Sequence, residues 1–188
     1  MSGLGLIDRA REFAEKKHAG QFREHKAHLL PFIIHPQEVA KIVSDSGGSD
    51  EEIATAWLHD LVEDTSTTLA EIEKLFGSEV AKIVDGVTDP PDFKGLPLLI
   101  RKARQAERVR SESASIKRVK LADQIVNVRS LADPPVSWSK QKCLDYIEGA
   151  RLVAGECSEV DDYLASQFEL TYIEAIESFS PEETFDQI

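Results

Sequence analysis

A chain of 188 residues, 41% of them hydrophobic, is long enough for one domain with a sizeable core and too short for two ordinary domains without a visible linker. Its net charge of −12 argues against indiscriminate binding to nucleic acid or to an anionic membrane. No apolar run approaches the ~20 residues of a membrane span, and the N-terminus lacks the pattern of a signal peptide, so we expect a cytoplasmic protein.

Apolar residues recur with helical spacing along most of the chain, beginning with Ile7, Ala10 and Phe13. This periodicity and the residues that bound it predict helices over residues 7–18, 36–44, 51–63, 69–76, 78–86, 98–110, 115–131, 137–154 and 159–178. Thr68 and Ser78 are predicted N-caps. Residues 23–31 and 89–97 are predicted loops, and no segment alternates convincingly as a strand. We therefore expect an all-α fold.

The predicted organisation is a single compact multi-helix domain over residues 1–179. An acidic tail follows over residues 180–188 and is a candidate for disorder. Residues 94–129 carry a net charge of +7, while the rest of the chain carries −19. A basic zone inside an acidic protein can neutralise a highly charged anionic ligand, although a solvated helix face explains it equally well.

The densest group of ionisable residues lies near the end of the third predicted helix. His59 and Asp60 are followed by Glu63 and Asp64, which places four such side chains within six residues of a largely apolar run. An imidazole beside a carboxylate can bind a divalent metal, and Glu63 lies one helical turn from His59 on the same face. The segment therefore predicts a site that activates water.

Two further residues can complete a metal site. His35 stands at the start of the second predicted helix, and Asp123 lies in an apolar helical segment where an unpaired carboxylate would be penalised. With His59 and Asp60 they supply two imidazoles and two carboxylates. Such a mixed set suits Mn²⁺, Fe²⁺ or Zn²⁺ and leaves coordination positions for water and substrate.

Five segments in the same order match a known family of enzymes. They are HAGQFR at 18–23, PFIIHP at 31–36, HDLVEDT at 59–65, FGSEVAKIVDGVT at 76–88 and KLADQIVNVRSL at 120–131. On these segments the chain resembles the HD superfamily of metal-dependent phosphohydrolases. Within that superfamily it resembles the hydrolase domain of Rel/Spo-type alarmone enzymes, and its length resembles that of the stand-alone small alarmone hydrolases.

The resemblance implies hydrolysis of the 3′-pyrophosphate of ppGpp or pppGpp, which yields GDP or GTP and pyrophosphate. It implies Mn²⁺ as the preferred metal, held by His35, His59, Asp60 and Asp123. Glu63 and Asp64 are the implied catalytic residues that position a water and move its proton. Neighbouring carboxylates suit this chemistry because repulsion and partial burial raise one pKa toward neutrality.

The implied substrate contacts come from several segments. Arg23 matches the family arginine that stacks on guanine, Asn127 matches a substrate-contacting asparagine, and Tyr146 corresponds by approximate position to a nucleotide-contacting tyrosine. Lys102 and Lys120, with Arg101 and Arg104 in the same basic zone, are expected to neutralise the pyrophosphates. The expected partner is thus a small-molecule nucleotide, bound by a monomer or a homodimer.

The chain departs from the family pattern beside the expected nucleotide. Glu24 replaces a basic residue, Gln124 stands where a Lys or Arg commonly follows the metal-binding Asp, and the segment after Arg23 lacks a Gly and looks longer. Alternatives therefore stay open: an HD-type phosphohydrolase acting on an adenosine alarmone, NADPH, a dNMP or a cyclic nucleotide, or a sensor that binds alarmones without cleaving them. Either Glu63 or Asp64 could be the proton acceptor.

Overall fold

The computed structural model describes residues 4–26 and 28–179, and the prediction of an all-α fold is confirmed. The predicted tail over 180–188 lies outside the described residues. The helices are α1 (Leu6–Lys17), α2 (Ile34–Asp45), α3 (Asp50–Leu58), α4 (Leu61–Asp64), α5 (Leu69–Phe76), α6 (Ser78–Val87), α7 (Leu98–Val109), α8 (Ala114–Arg129), α9 (Lys140–Gly155) and α10 (Asp162–Ser178). None of the helices in the described part is long and apolar enough to cross a membrane.

Helix α8 lies at the centre of the structure and packs against α2, α3, α6, α9 and α10. Its apolar residues, such as Leu121 and Ile125, are fully buried on several sides, as expected for a helix surrounded by others. The same helix also buries polar side chains, among them Lys120, Asp123 and Asn127. Buried polar groups must find partners, and these three side chains find theirs at the candidate site. Helix α8 therefore contributes to both the hydrophobic core and the candidate site.

The predicted helix over 51–63 is interrupted at His59 and Asp60. Helix α3 begins with a reciprocal capping box between Ser49 and Glu52, ends at Leu58, and is followed by the single turn α4. At the break, Nδ1 of His59 lies 2.8 Å from the carbonyl oxygen of Ala56 and donates to it. Ala56 carries one of the last four carbonyl groups of α3, which have no intrahelical partner, and the imidazole supplies one.

The prediction of a loop over residues 23–31 was wrong. Strands β1 (Phe22–His25) and β2 (His28–Pro31) form an antiparallel hairpin in which Arg23 pairs with Leu30. Lys26 adopts a positive φ of 43°, a conformation that tight hairpin turns require and that Gly or Asn usually supplies. The segment lacks those residues and its strands are short, so the usual sequence signals of a hairpin are missing.

The hairpin is attached to the loop between α8 and α9. The backbone N–H of Lys26 donates to the carbonyl oxygen of Pro134 at 3.1 Å, and the Lys26 ammonium pairs with Asp133. Alternation along β1 leaves Phe22 and Glu24 exposed and turns Arg23 and His25 toward the protein. The hairpin therefore presents Arg23 to the interior.

Of the two predicted N-caps, only Thr68 behaves as expected. Its side chain accepts the backbone N–H of Glu71, whereas the cap of α6 is Gly77, which has a φ of 96° and leaves Ser78 as the first helical residue. A positive φ is easily adopted by glycine, so Gly77 both ends α5 and starts α6. The predicted loop over 89–97 contains one short 3₁₀ turn, Pro91–Phe93.

Candidate metal centre and its pocket

Three buried side chains from distant parts of the chain converge on one point. Nε2 of His35, at the start of α2, lies 3.2 Å from Nε2 of His59 and 3.3 Å from Oδ1 of Asp123 on α8. The His59 Nε2 to Asp123 Oδ1 distance is 3.7 Å. One ligand atom from each residue lies within 4.8 Å of the others, a spacing that a single ion can bridge.

Asp60 lies at the more open side of this group. Its Oδ1 is 3.2 Å from Nε2 of His59, and its Oδ2 is 3.5 Å from Nε2 of His35. Its side chain is 23% exposed, against 10% for Asp123. The structure thus brings together all four residues that the sequence nominated as metal ligands.

The positions and the chemistry of these donor atoms fit a divalent cation. A carbonyl oxygen only accepts, so the bond to Ala56 places a proton of His59 on Nδ1, and Nε2 is the ring nitrogen that can coordinate a metal. This Nε2 faces Nε2 of His35 at 3.2 Å, so the two imidazoles direct the same ring nitrogen toward one position. The mixed nitrogen and oxygen donors are those of a divalent metal site.

The pKa values of the group reflect the same electrostatics. Burial disfavours charge on His59, but the Asp60 and Asp123 carboxylates outweigh it and raise the pKa of His59 to about 9. For His35, burial dominates and lowers the pKa. Burial by itself would raise the pKa of the Asp123 carboxyl. Its bond to His35 and the nearby Lys120 ammonium outweigh burial and hold that pKa well below its usual range. The carboxylates of Asp60 and Asp123 are therefore charged and are stabilised by the neighbouring imidazoles and by Lys120.

Glu63 and Asp64 lie on α4 at the mouth of the same pocket. Oε1 of Glu63 accepts the backbone N–H of Asp89 at 2.7 Å. Burial raises the pKa of Glu63 to about 7. The bond from the N–H of Asp89 acts against this shift, and the negative charges of Asp89 and Asp60 add to it. The sequence attributed such a shift to partial burial and to repulsion between neighbouring carboxylates. In the structure burial is the largest cause, and the acidic neighbours that contribute are Asp89 and Asp60.

Four residues that sequence reasoning missed surround this pair, either in contact with it or one hydrogen bond away: Asp89, Gln105, Gln21 and His18. Nε2 of Gln105 donates to the carboxylate of Asp89 at 2.6 Å, and Nε2 of Gln21 donates to the carbonyl oxygen of Asp64 at 3.1 Å. The amide oxygen of Gln21 lies 2.7 Å from Nδ1 of the buried His18, so it accepts from that ring. Gln21 and His18 belong to the segment 18–23, so their place in that segment was the one available signal.

A pocket of about 180 Å³ opens beside the metal ligands. Ten of the eleven predicted site residues line it, all except the deeper His59: Arg23, His35, Asp60, Glu63, Asp64, Lys102, Lys120, Asp123, Asn127 and Tyr146. From the basic zone Arg101 also lines the pocket, whereas Arg104 pairs with Asp92 at the surface. The pocket is thus lined by both acidic and basic side chains.

The predicted substrate contacts are connected to one another. Nη2 of Arg23 donates to Oδ1 of Asn127 at 2.9 Å, and its guanidinium carbon lies 5.5 Å from the ring centroid of Phe32. Nζ of Lys102 lies 4.4 Å from the ring centroid of Tyr146. Nζ of Lys120 donates to the carbonyl oxygen of Val87 at 2.9 Å. A nucleotide in the pocket would meet cations that are already oriented.

The two departures from the family pattern have different structural meanings. Glu24 is exposed on the outer face of β1, where it accepts from Oγ of Ser137 at 3.4 Å and does not line the pocket. Gln124 is buried, and its amide oxygen accepts from Nζ of Lys102 at 2.7 Å. Lys102 on α7 therefore reaches the position beside Asp123 where the sequence appeared to lack a basic residue, although burial lowers the pKa of this lysine to about 7.

Comparisons with known proteins agree with this geometry. The HD domain family matches residues 10–145. The guanosine-3′,5′-bis(diphosphate) 3′-pyrophosphohydrolase MESH1 of Xenopus tropicalis is 42% identical over 152 residues, which cover 79% of this chain and 83% of the relative. The human protein of the same name is 41% identical over 147 residues, covering 77% and 80%.

A solved structure of a metazoan ortholog of SpoT, described as hydrolyzing ppGpp and acting in starvation responses, superposes with a TM-score of 0.83. It is 28% identical and the match covers 93% of this chain and 97% of that protein. The agreement extends over almost the whole of both chains, so the HD-type fold expected from the sequence is confirmed.

Proposed function

The chain belongs to the HD domain family, and we propose that it is a guanosine-3′,5′-bis(diphosphate) 3′-pyrophosphohydrolase that converts ppGpp to GDP and pyrophosphate and pppGpp to GTP and pyrophosphate. One observation carries the proposal: two imidazoles and two carboxylates converge beside a pocket lined by Glu63 and Asp64 and by the cations Arg23 and Lys102. The relatives that cover most of this chain carry the name of that activity.

In this proposal His35, His59, Asp60 and Asp123 hold the metal, and Mn²⁺ is the ion. When bound, a divalent ion lowers the pKa of a water and stabilises negative charge on phosphoryl oxygens. The fixed Nδ1–H of His59 supports this role, because a ligating imidazole usually donates its other N–H to a carbonyl or carboxylate.

Glu63 is the proposed proton acceptor, and Asp64 helps to orient the attacking water. With a pKa of about 7, Glu63 is ionised in a large share of molecules at neutral pH and can both accept and release a proton. One of its oxygens is held by the N–H of Asp89, which leaves the other free to accept from water. Gln21 fixes the backbone at Asp64 and so limits movement of the pair.

The remaining pocket residues bind the nucleotide. One face of the Arg23 guanidinium is near Phe32, and we propose that the other stacks on the guanine ring. Asn127, Lys120, Lys102 and Tyr146 contact the sugar and phosphates. A substrate with four or five negative charges needs such a local positive field in a chain of net charge −12. We also propose the cytoplasm as its compartment, consistent with the free, buried Cys143 and Cys157.

The test is product identification with purified protein and Mn²⁺. We expect ppGpp to yield GDP and pyrophosphate, separated by anion-exchange chromatography, faster than any comparison nucleotide is cleaved. The comparison set is an adenosine alarmone, NADPH, a dNMP and a cyclic nucleotide. Faster release of orthophosphate from one of these would reject the guanosine assignment. Binding of ppGpp with turnover no better than that of Glu63→Ala would reject an enzyme in favour of a sensor.

A further inference from the structure

Both carboxylate oxygens of Asp123 are held by side-chain amides. Nε2 of Gln124 donates to Oδ2 at 2.9 Å, and Nδ2 of Asn127 donates to Oδ1. Each amide oxygen in turn accepts from a cation on another element: Nζ of Lys102 reaches Gln124 at 2.7 Å, and Nη2 of Arg23 reaches Asn127 at 2.9 Å. Two chains of cation, amide and carboxylate therefore meet at one candidate metal ligand.

The amide of Gln124 has only one workable orientation. An ionised carboxylate only accepts, so the nitrogen of Gln124 must face Asp123 and its oxygen must face Lys102. Lys102, Gln124 and Asp123 are 2%, 1% and 7% exposed. Water cannot readily replace a lost partner at this depth, so breaking either bond leaves a buried polar group unsatisfied.

The two oxygens of Asp123 have separate environments. Oδ1 faces the imidazoles and lies 3.3 Å from Nε2 of His35. Oδ2 faces the opposite side, where Gln124 donates to it and the Lys120 ammonium lies 3.8 Å away. Gln124 thus restrains rotation of the carboxylate without occupying the oxygen that faces the candidate metal.

Lys102 reaches Gln124 because helix α9 has a glycine where the lysine side chain passes. Its side chain crosses α9 at Gly149, where a Cβ atom would lie 2.6 Å from Cγ of Lys102. Nζ then lies over the Tyr146 ring and lines the same pocket as Gln124 and Arg23. The absence of a side chain at Gly149 therefore allows a cation from α7 to reach the metal ligand's neighbour.

We propose that Gln124 is a positioning residue that orients Asp123 for metal binding and holds Lys102 at the site of a substrate phosphate. The metal part concerns only residues of this chain, while the phosphate part rests on the proposed function. Hydrogen-bonding partners of metal ligands typically change metal affinity by about 10- to 100-fold when they are removed.

The test is the variant Gln124→Met, which keeps the side-chain length and removes both bonds. Metal-free protein is titrated with Mn²⁺ by calorimetry without nucleotide, and we expect affinity to fall by about tenfold or more. We expect a higher KM for ppGpp and recovery of kcat at saturating Mn²⁺, a rescue that a general loss of structure would not show. The matched control is Gln141→Met, because Gln141 also donates to an Asp, Asp145 at 2.8 Å, but at the surface.

A second variant separates the two roles of Gln124. In Gly149→Ala the new Cβ displaces Lys102 and leaves Gln124 and Asp123 unchanged in chemistry. We expect KM to rise while the affinity for Mn²⁺ changes less than in Gln124→Met. Thermal unfolding of each variant shows whether the fold is retained.

A Mn²⁺ affinity of Gln124→Met within about twofold of Gln141→Met would overturn the proposal. If Gln124→Met does not fold, hydrogen exchange of the side-chain amides in the wild-type protein decides, since slower exchange is expected at Gln124 than at Gln141 and equal rates would reject the bonds. Failure of the proposed function would give a different result. In that case the wild-type protein would not cleave ppGpp, although Gln124→Met would still lower the affinity for Mn²⁺.

Discussion

The candidate metal half of the site, formed by His35, His59, Asp60 and Asp123, is carried by helices that pack on one another: α2, the junction of α3 with α4, and α8. The candidate nucleotide half, formed by Arg23, Lys102, Asn127 and Tyr146, takes one side chain from a two-stranded hairpin and the others from α7, α8 and α9. A metal ion needs lone pairs aimed at one point, which a packed core can supply. A nucleotide is recognised over a larger surface, which separate elements can share.

The two halves meet at Asp123, because amides on its own helix connect it to Arg23 and Lys102. Substitutions in the two halves should therefore have different effects. Changes in the metal half should lower metal affinity and with it all activity. Changes in the nucleotide half should act mainly on KM.

The largest effect is expected for His59→Gln, which removes the lone pair aimed at the cluster. We expect Mn²⁺ affinity to fall by more than the roughly 100-fold seen when partners of metal ligands are removed, with activity lost in parallel. Calorimetric titration and metal analysis of the purified protein measure it. The control is His18→Gln, another buried imidazole, which should bind Mn²⁺ like the wild type; equal losses in both variants would contradict the assignment.

Glu63→Gln should separate catalysis from metal binding. We expect kcat to fall by about 10²- to 10⁴-fold, the usual contribution of a general base, with little change in Mn²⁺ affinity. Steady-state kinetics and Mn²⁺ titration are measured together. Glu79→Gln, at an exposed position of α6, serves as the matched control and should leave both unchanged. A larger loss in Asp64→Asn than in Glu63→Gln would reverse the two roles.

The pH dependence of kcat/KM should reflect the ionisation of Glu63. Glu63 accepts a proton only when ionised, and its pKa is raised to about 7, so kcat/KM should fall about tenfold per pH unit below that value. A pH–rate profile at saturating Mn²⁺ measures this limb. The limb should persist in Asp64→Asn, and its loss in that variant would identify Asp64 as the acceptor.

Arg23→Lys probes the nucleotide half while keeping the charge. Loss of the flat guanidinium and of its bond to Asn127 should raise KM for ppGpp by about tenfold, comparable to one cation–π contact. Mn²⁺ affinity should change less. Arg151→Lys is the control, since Arg151 lies 4.8 Å from the Tyr172 ring at the surface. An unchanged KM in Arg23→Lys would remove Arg23 from the recognition surface.

The smallest effect is expected for Glu24→Lys, which restores the base that the family usually has there. Because Glu24 faces solvent on the outer side of β1, we expect KM to change by less than about twofold at physiological salt. Kinetics with ppGpp and with an adenosine alarmone check this. A strong gain for ppGpp alone would show that this outer position takes part in selecting the base.

Spacing along the chain was enough to predict the helical fold, whereas most of the residues around the pocket were predicted from the resemblance to a known family. Apolar residues at helical spacing, the Thr68 cap and the breaker at Gly77 act over a few residues, so their consequences can be predicted locally. Similarly, His59, Asp60 and Glu63 are close in sequence, and the five family segments associated them with His35 and Asp123. Ten of the eleven residues predicted in this way line one pocket.

Tertiary packing decided which partner each polar group has. The hairpin depends on contacts of Lys26 with Pro134 and Asp133, the pKa of Glu63 depends on the N–H of Asp89, and Gln124 depends on a lysine that reaches it across Gly149. These partners are separated by more than 20 residues in the chain. A hydrogen bond is satisfied by whichever group packing brings within about 3 Å, and sequence spacing carries no information about that choice.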